Sequence, residues 1–187
     1  MDLYLDGYFA GIAYSTGNIT CDAGKKYLVV RNLDSYYPKQ IADISGYNMY
    51  TSACCVWRDK ALQYIVKARN VREMPDLSDI KDVAGFCRAY IEIHSVLDRA
   101  TRKDRKGNKH YFLRLRIYGN NAVINFLNDN LPVSRKAVQH IVNSNGQTWA
   151  VYYQSKKEIS KIIQWLDGYP KNQKVWDKWS AVESLIM

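Results

Sequence analysis

The sequence is short of the residues that carry most enzyme chemistry. Its four cysteines, Cys21, Cys54, Cys55 and Cys87, show no CxxC or Cys/His spacing, and two of them are adjacent, so they read as reduced core thiols. The three histidines, His94, His110 and His140, have no nucleophile elbow, phosphate-cradling loop or zinc spacing near them. No stretch approaches the ~18 apolar residues of a membrane span. The first apolar run carries Asp2 and Asp6 with no basic region before it, so a signal peptide is not expected. A cytoplasmic or nucleoid location and no membrane partner follow. Low-complexity tracts are missing too, and with 47% hydrophobic and 13% aromatic residues the chain is expected to fold throughout. Its 187 residues allow one compact domain or two small halves sharing a core.

Acidic residues are also in deficit, 18 against 27 basic ones, for a formal charge of +9. The excess is uneven. Residues 1–77 hold 9 Lys and Arg against 8 Asp and Glu, whereas residues 78–187 hold 18 against 10. A field of that sign favours a polyanion, with nucleic acid well ahead of an anionic membrane because no basic amphipathic helix is present.

One short pattern occurs twice, Phe9-Ala10-Gly11-Ile12-Ala13-Tyr14-Ser15-Thr16-Gly17 and Val83-Ala84-Gly85-Phe86-Cys87-Arg88-Ala89-Tyr90-Ile91, with Gly11 and Gly85 74 residues apart. Each copy is an apolar run of helical character leading into a β-prone segment, which marks a repeated structural unit. Glycine inside a helix costs about 1 kcal/mol relative to alanine, so its recurrence calls for a packing reason. Gly7, Ala10 and Gly11 on one helix, and Ala84 and Gly85 on the other, offer flat patches that let two helices cross backbone to backbone. Both stretches resemble the signature helix of the LAGLIDADG homing endonucleases. The resemblance implies an α+β fold of two pseudo-symmetric αββαββ repeats, 1–77 and 78–187, forming a saddle of antiparallel sheets, the second repeat carrying a C-terminal helical cap. The internal duplication suggests that one chain makes the pseudo-dimer, so a monomer is expected and no further protein partner is required.

Local patterns fill in the elements. A helix over 3–16 ends at Gly17, where a left-handed residue is expected. A hairpin joins 18–21 to 26–32 around Asp22-Ala23-Gly24-Lys25. A helix starts at Pro38 and stops at Gly46. Met49 to Trp57 and Ala61 to Ala68 read as a second hairpin around Arg58-Asp59-Lys60, and residues 70–77 as the linker. In the second half Ser78 reads as the N-cap of the signature helix, with Asp79 in its first turn. Strands then follow over 91–97 and 110–118 with a long polar connection, a helix over 121–128, a hairpin of 135–143 with 148–154 around Ser144-Asn145-Gly146, and a helix opened by the capping box Ser155-Lys156-Lys157-Glu158 and closed by Gly168 and Pro170. The tail, with Trp165, Tyr169, Trp176 and Trp179, is similar to the segment that closes phage and intron-borne members of the family and reads as core and cap.

The strand His110 to Tyr118 is the most informative. Its period of two places Tyr111, Leu113, Leu115 and Ile117 on a core face and His110, Phe112, Arg114, Arg116 and Tyr118 on the other. Arginines and aromatics on a twisted antiparallel sheet suit the major groove, where arginine binds guanine bidentately. Glu92 and His94 are expected to join that polar face, and Lys26 and Arg31 of the first half are expected to bind nucleic acid as well. The connection Arg99 to Lys109 holds six basic residues in eleven, Arg99, Arg102, Lys103, Arg105, Lys106 and Lys109, and reads as a finger that tracks phosphates.

In the family, the last acidic residue of each signature helix binds a divalent metal over the scissile phosphates. Here Thr16 and Tyr90 stand at those positions, so no catalytic residue, metal ligand or cofactor is expected. The expected function is double-stranded DNA binding without cleavage, as in a phage or bacterial transcriptional regulator. The alternatives are an active endonuclease using Mg²⁺ and relocated acids such as Glu92, or an RNA- or protein-binding descendant such as a maturase or host-enzyme inhibitor.

Overall fold

The computed structural model describes residues 6–50, 53–57, 60–78, 80, 82–142 and 147–167. The chain divides into two compact units, Met1–Tyr90 and Ile91–Met187.

In the first unit Asp6 caps helix α1 (Gly7–Thr16), its Oδ1 accepting from the Tyr8 and Phe9 amides at 2.9 and 3.3 Å. Strands β1 (Gly17–Asp22) and β2 (Lys25–Arg31) form an antiparallel hairpin, with Ala23 and Gly24 at φ 46° and 74° in its two-residue turn. Helix α2 (Tyr36–Ser45) starts two residues before Pro38, so the proline occupies the third helical position, where its missing N–H is still one that no helix uses. It ends on left-handed Gly46 as expected. Strands β3 (Met49–Tyr50) and β4 (Ala53–Trp57) then complete a sheet of order β1-β2-β4-β3.

Two expectations fail in this half. Residues 61–68 are not a strand but belong to helix α3 (Lys60–Asn70). Leu62, Ile65 and Val66, all fully buried, follow the helical spacing, and their burial at roughly 1.5–3 kcal/mol each overrides the strand preference of β-branched Ile65 and Val66. The hairpin partner of 53–57 is instead Met49–Tyr50. Gly17 is also not left-handed. Its backbone is extended, and what it provides is room, since a Cβ there would stand 2.5 Å from the Ala13 carbonyl oxygen and 2.8 Å from the Val66 side chain. The core of this unit is Ile12, Ala13, Leu28, Val30, Ile41, Cys54 and the buried stripe of α3.

Helix α4 (Val83–His94) corrects the next two. Asp82, not Ser78, caps it, its Oδ1 accepting from the Gly85 amide at 3.0 Å. The helix then runs on through Glu92 and His94, and the strand begins only at Ser95. Glu92 and His94 are therefore helical and do not belong to the sheet's polar face. Counted back from the strand starts at Gly17 and Ser95, Gly11 corresponds to Ala89 and Gly7 to Gly85, a shift of one helical turn from the sequence alignment. Packing within the first unit agrees with the shift. A Cβ on Gly11 would fall 2.7 Å from Ala89 Cβ and 2.7 Å from the Phe86 carbonyl oxygen, and one on Gly7 would fall 1.8 Å from the Asp82 carbonyl oxygen. Gly7 and Gly11 let α1 approach the backbone of residues 82–89 closely, with Ala10 fully buried.

The second unit has strands β5 (Ser95–Lys103) and β6 (Lys109–Gly119), helix α5 (Asn121–Asn130), strands β7 (Gln139–Ile141) and β8 (Thr148–Tyr153), and helix α6 (Lys156–Asp167). Its sheet order, β5-β6-β8-β7, repeats that of the first unit. Leu113, Leu115, Ile117, Val151 and Tyr153 form the sheet's core face, and Val123, Ile124, Leu127, Ile159, Ile162 and Leu166 of the two helices are buried with them. One half of the capping box forms, the Glu158 amide donating to Ser155 Oγ at 3.4 Å, while the Glu158 carboxylate pairs with Lys136 Nζ. The turn 144–146 and the tail from Gly168, including its tryptophans, lie outside the described residues. Each sheet is followed by a helix, so the order is αββαββα rather than αββαββ.

Candidate nucleic-acid interface

The β5–β6 hairpin is longer than its sequence suggests. Residues 99–103 are not a flexible connection. They are strand, paired residue by residue from Ser95↔Ile117 to Lys103↔Lys109, and only 104–108 form the loop. Polar sequence concealed this, because beyond the Ala100–Phe112 pair both faces of the ribbon are exposed and neither carries an apolar stripe.

Asp104 builds the loop. Its Oδ1 accepts from the Lys106 and Asn108 amides at 2.8 and 2.9 Å, and its Oδ2 meets Asn108 Nδ2 and His110 Nε2, both at 3.1 Å. The His110 and then the Asn108 hydrogen bonds hold its carboxyl well below the usual range, at about 2. Arg105 and Lys106 occupy the exposed turn.

Strict register divides the basic residues between two faces, since cross-strand partners point the same way. Arg102 and His110, Ala100 and Phe112, Asp98 and Arg114, and Val96 and Arg116 share the outer face, which Tyr118 continues. Arg99, Lys103, Lys109 and Tyr111 lie on the opposite face, the Arg99 guanidinium 4.0 Å from the Tyr111 ring centre. Tyr111 shares the strand face of Leu113, Leu115 and Ile117 as expected but is 57% exposed, like residues 101–103 and 109–110 around it. The finger residues therefore do not form one surface. In the first unit Lys26 and Arg31 are likewise on opposite faces of β2, Lys26 with Leu28 and Val30, and Arg31 with Tyr27 and Val29.

At the centre of the outer face one carboxylate holds two arginines. Asp98 Oδ1 accepts from Arg114 Nε at 3.1 Å, and Oδ2 accepts from Arg114 Nη2 at 2.9 Å and Arg116 Nη2 at 2.7 Å. The three side chains are 25–30% exposed, within reach of a ligand. Hydrogen bonding from Arg114 lowers the Asp98 carboxyl and raises the guanidinium in return. Arg116 Nε has no hydrogen-bond partner. Across β8, Tyr152 pairs with Arg116, and a concavity of about 310 Å³ opens beside the pair between Gln139, Tyr152 and Gln154. Asp98, Gln139, Tyr152 and Gln154 escape sequence reasoning. The available signal is the hairpin's midpoint, since a loop of 104–108 places residue 98 opposite residue 114.

The two helix ends complete the inventory. Thr16 closes α1 and donates its hydroxyl to the Ile12 carbonyl at 3.1 Å, and His94 closes α4. Tyr90 is a turn earlier and buried, its hydroxyl pushed upward by burial. Glu92 is buried as well, 2% exposed. Among the described residues no three His, Cys, Asp or Glu side chains gather as a metal site would require, and no helix is long and apolar enough to cross a membrane.

Two sheets of one strand order, each preceded by a helix that ends directly in its first strand, find counterparts among solved structures. The fold is that of the LAGLIDADG homing endonucleases. The homing endonuclease I-LtrWI bound to target DNA matches with a TM-score of 0.60 over 100% of this chain and 90% of its own, at 13% identity. Meganuclease I-SmaMI bound to uncleaveable DNA matches at 0.62 over 97% and 90%, at 8% identity, and I-CpaMI bound to uncleaved DNA at 0.58 over 100% and 91%, at 12%. No protein-family model and no curated protein matches the sequence. At such identities the LAGLIDADG likeness is one of fold.

Proposed function

We propose that this chain binds double-stranded DNA in the major groove through the outer faces of its sheets, does not cut it, and acts as a transcriptional regulator of phage or bacterial kind. The observation that carries the reading is the outer face of β5–β6, where Arg114 and Arg116 sit among Phe112, Tyr118 and Tyr152 on a ribbon that ends in basic residues. Such a face offers both kinds of contact a duplex needs, forked donors for base edges and mobile cations for phosphates. The solved LAGLIDADG structures of this fold that hold DNA support it.

The absence of cleavage rests on chemistry at the helix ends. Mg²⁺ requires hard, anionic oxygen ligands, and the last helical residues offer a neutral hydroxyl already engaged with Ile12 and an imidazole. These residues do not fit the metal, and the buried Glu92 is not placed at a helix end to replace an acid there. The test is a salt titration on duplex DNA, with single-stranded DNA and RNA in parallel, and incubation of plasmid with Mg²⁺ or Mn²⁺. Duplex affinity is expected to fall steeply with log salt, and plasmid to stay intact. Metal-dependent cutting at a defined site overturns the second half of the reading, and a preference for RNA overturns the first.

A further inference from the structure

We infer that Asp98 is a positioning residue that presents the outer edge of Arg114 to a guanine in the bound duplex. The inference rests on the DNA-binding reading above and adds a specific residue and base to it.

A guanidinium has two forked edges, one formed by Nε and Nη2 and the other by Nη1 and Nη2. Asp98 occupies the first, with contacts of 3.1 and 2.9 Å. The second edge, with its parallel N–H groups, matches the O6 and N7 acceptors that guanine alone shows in the major groove. The clamp is set by the fold, because Asp98 and Arg114 are Cα partners in the hairpin register and their side chains share one face. Asp98 therefore fixes a side chain that would otherwise give up considerable rotamer freedom on binding. The same carboxylate also holds Arg116 Nη2 at 2.7 Å, which orders the neighbouring guanidinium while its Nε stays unpartnered. Beside them the concavity lined by Gln139, Tyr152 and Gln154 has room for a base edge.

A carboxylate on a DNA-facing surface also opposes phosphates. Removing its charge should thus have two effects of opposite sign, and this separates positioning from simple support of the fold. The experiment first selects preferred sites from a random duplex pool. It then measures wild type, Asp98→Asn and Arg114→Ala against the selected site, the same site with 7-deazaguanine at its guanines, and an unrelated duplex. For wild type, 7-deazaguanine at one position should weaken binding roughly 5- to 100-fold. Asp98→Asn should lose most of that sensitivity while its affinity for the unrelated duplex rises. Arg114→Ala, which removes every donor that could reach guanine, should lose it entirely. Thermal unfolding checks that both variants are folded, and Arg114→Ala keeps the test open should Asp98→Asn fail to fold. If wild type binds but is insensitive to 7-deazaguanine, or if either folded variant keeps the sensitivity, this inference fails and the DNA reading stands. If wild type binds no duplex, both fail.

Discussion

Gly11 of α1 and Ala89 of α4 face each other so closely that a single methyl on Gly11 would stand 2.7 Å from the alanine's own. The contact leaves no side chain to give way, because the Phe86 carbonyl oxygen lies at the same distance. Gly11→Ala is expected to cost about 1–3 kcal/mol, and Gly7→Ala more, since its methyl would meet the Asp82 carbonyl oxygen at 1.8 Å. Urea unfolding of the two variants checks the order. Adding Ala89→Gly should recover only part of the Gly11→Ala loss, the carbonyl clash remaining.

Arg69 ties α3 to the end of α1, its Nη1 donating to the Tyr14 carbonyl at 3.2 Å and its Nη2 to Asn18 Oδ1 at 3.5 Å. A cation there meets carbonyls that no helical N–H reaches. Arg69→Met keeps the stem and removes the charge, and is expected to lower stability by about 1–2 kcal/mol by thermal unfolding.

Asn128, 2% exposed, bonds both the amide and the carbonyl of Lys136, at 3.0 and 2.7 Å, and accepts the Tyr153 hydroxyl at 3.0 Å. Asn128→Ala removes three hydrogen bonds made at a buried position and is expected to cost about 2–4 kcal/mol, whereas Tyr153→Phe, which leaves Asn128 its backbone partners, should cost about 1 kcal/mol. A double-mutant cycle measures the shared term.

Asp104 gives a pH prediction. Its folded-state pKa of about 2 lies below that of an unfolded aspartate, so its contribution is complete at pH values above the unfolded value and is lost as pH falls toward 2. The amide signals of Lys106 and Asn108 should be constant from pH 7 to 5 and collapse toward random-coil positions between about pH 4 and 2. Asp104→Ala, which removes the acceptor, should show the collapsed positions throughout.

Much of this was legible in the residues. Gly7 and Gly11 in an apolar run announced a close helix approach, Gly46 the end of α2, and the alternation of 113–117 the core face of β6. The one-turn slip in the second signature helix was not legible, because four residues return a helix to the same face and Gly85 and Ala89 are both small. Helix α3 was hidden by the adjacent β-branched Ile65 and Val66, and only tertiary burial decides their state. The outward clamp was hidden because the length of β5 is set by pairing with β6, which a strand whose far end is exposed on both faces does not record in its own pattern.

That exposure has a consequence for the free protein. In the sheet order β5-β6-β8-β7, β5 is an edge among the described residues, so one side of its far half is open to strand addition by a second chain. Arg99, Arg102 and Lys103 stand along that half, and two copies meeting there would bring like charges together. The side chains read here as cations for a polyanion thereby also guard the open border of the sheet, so neutralising them all at once should cost solubility as well as binding.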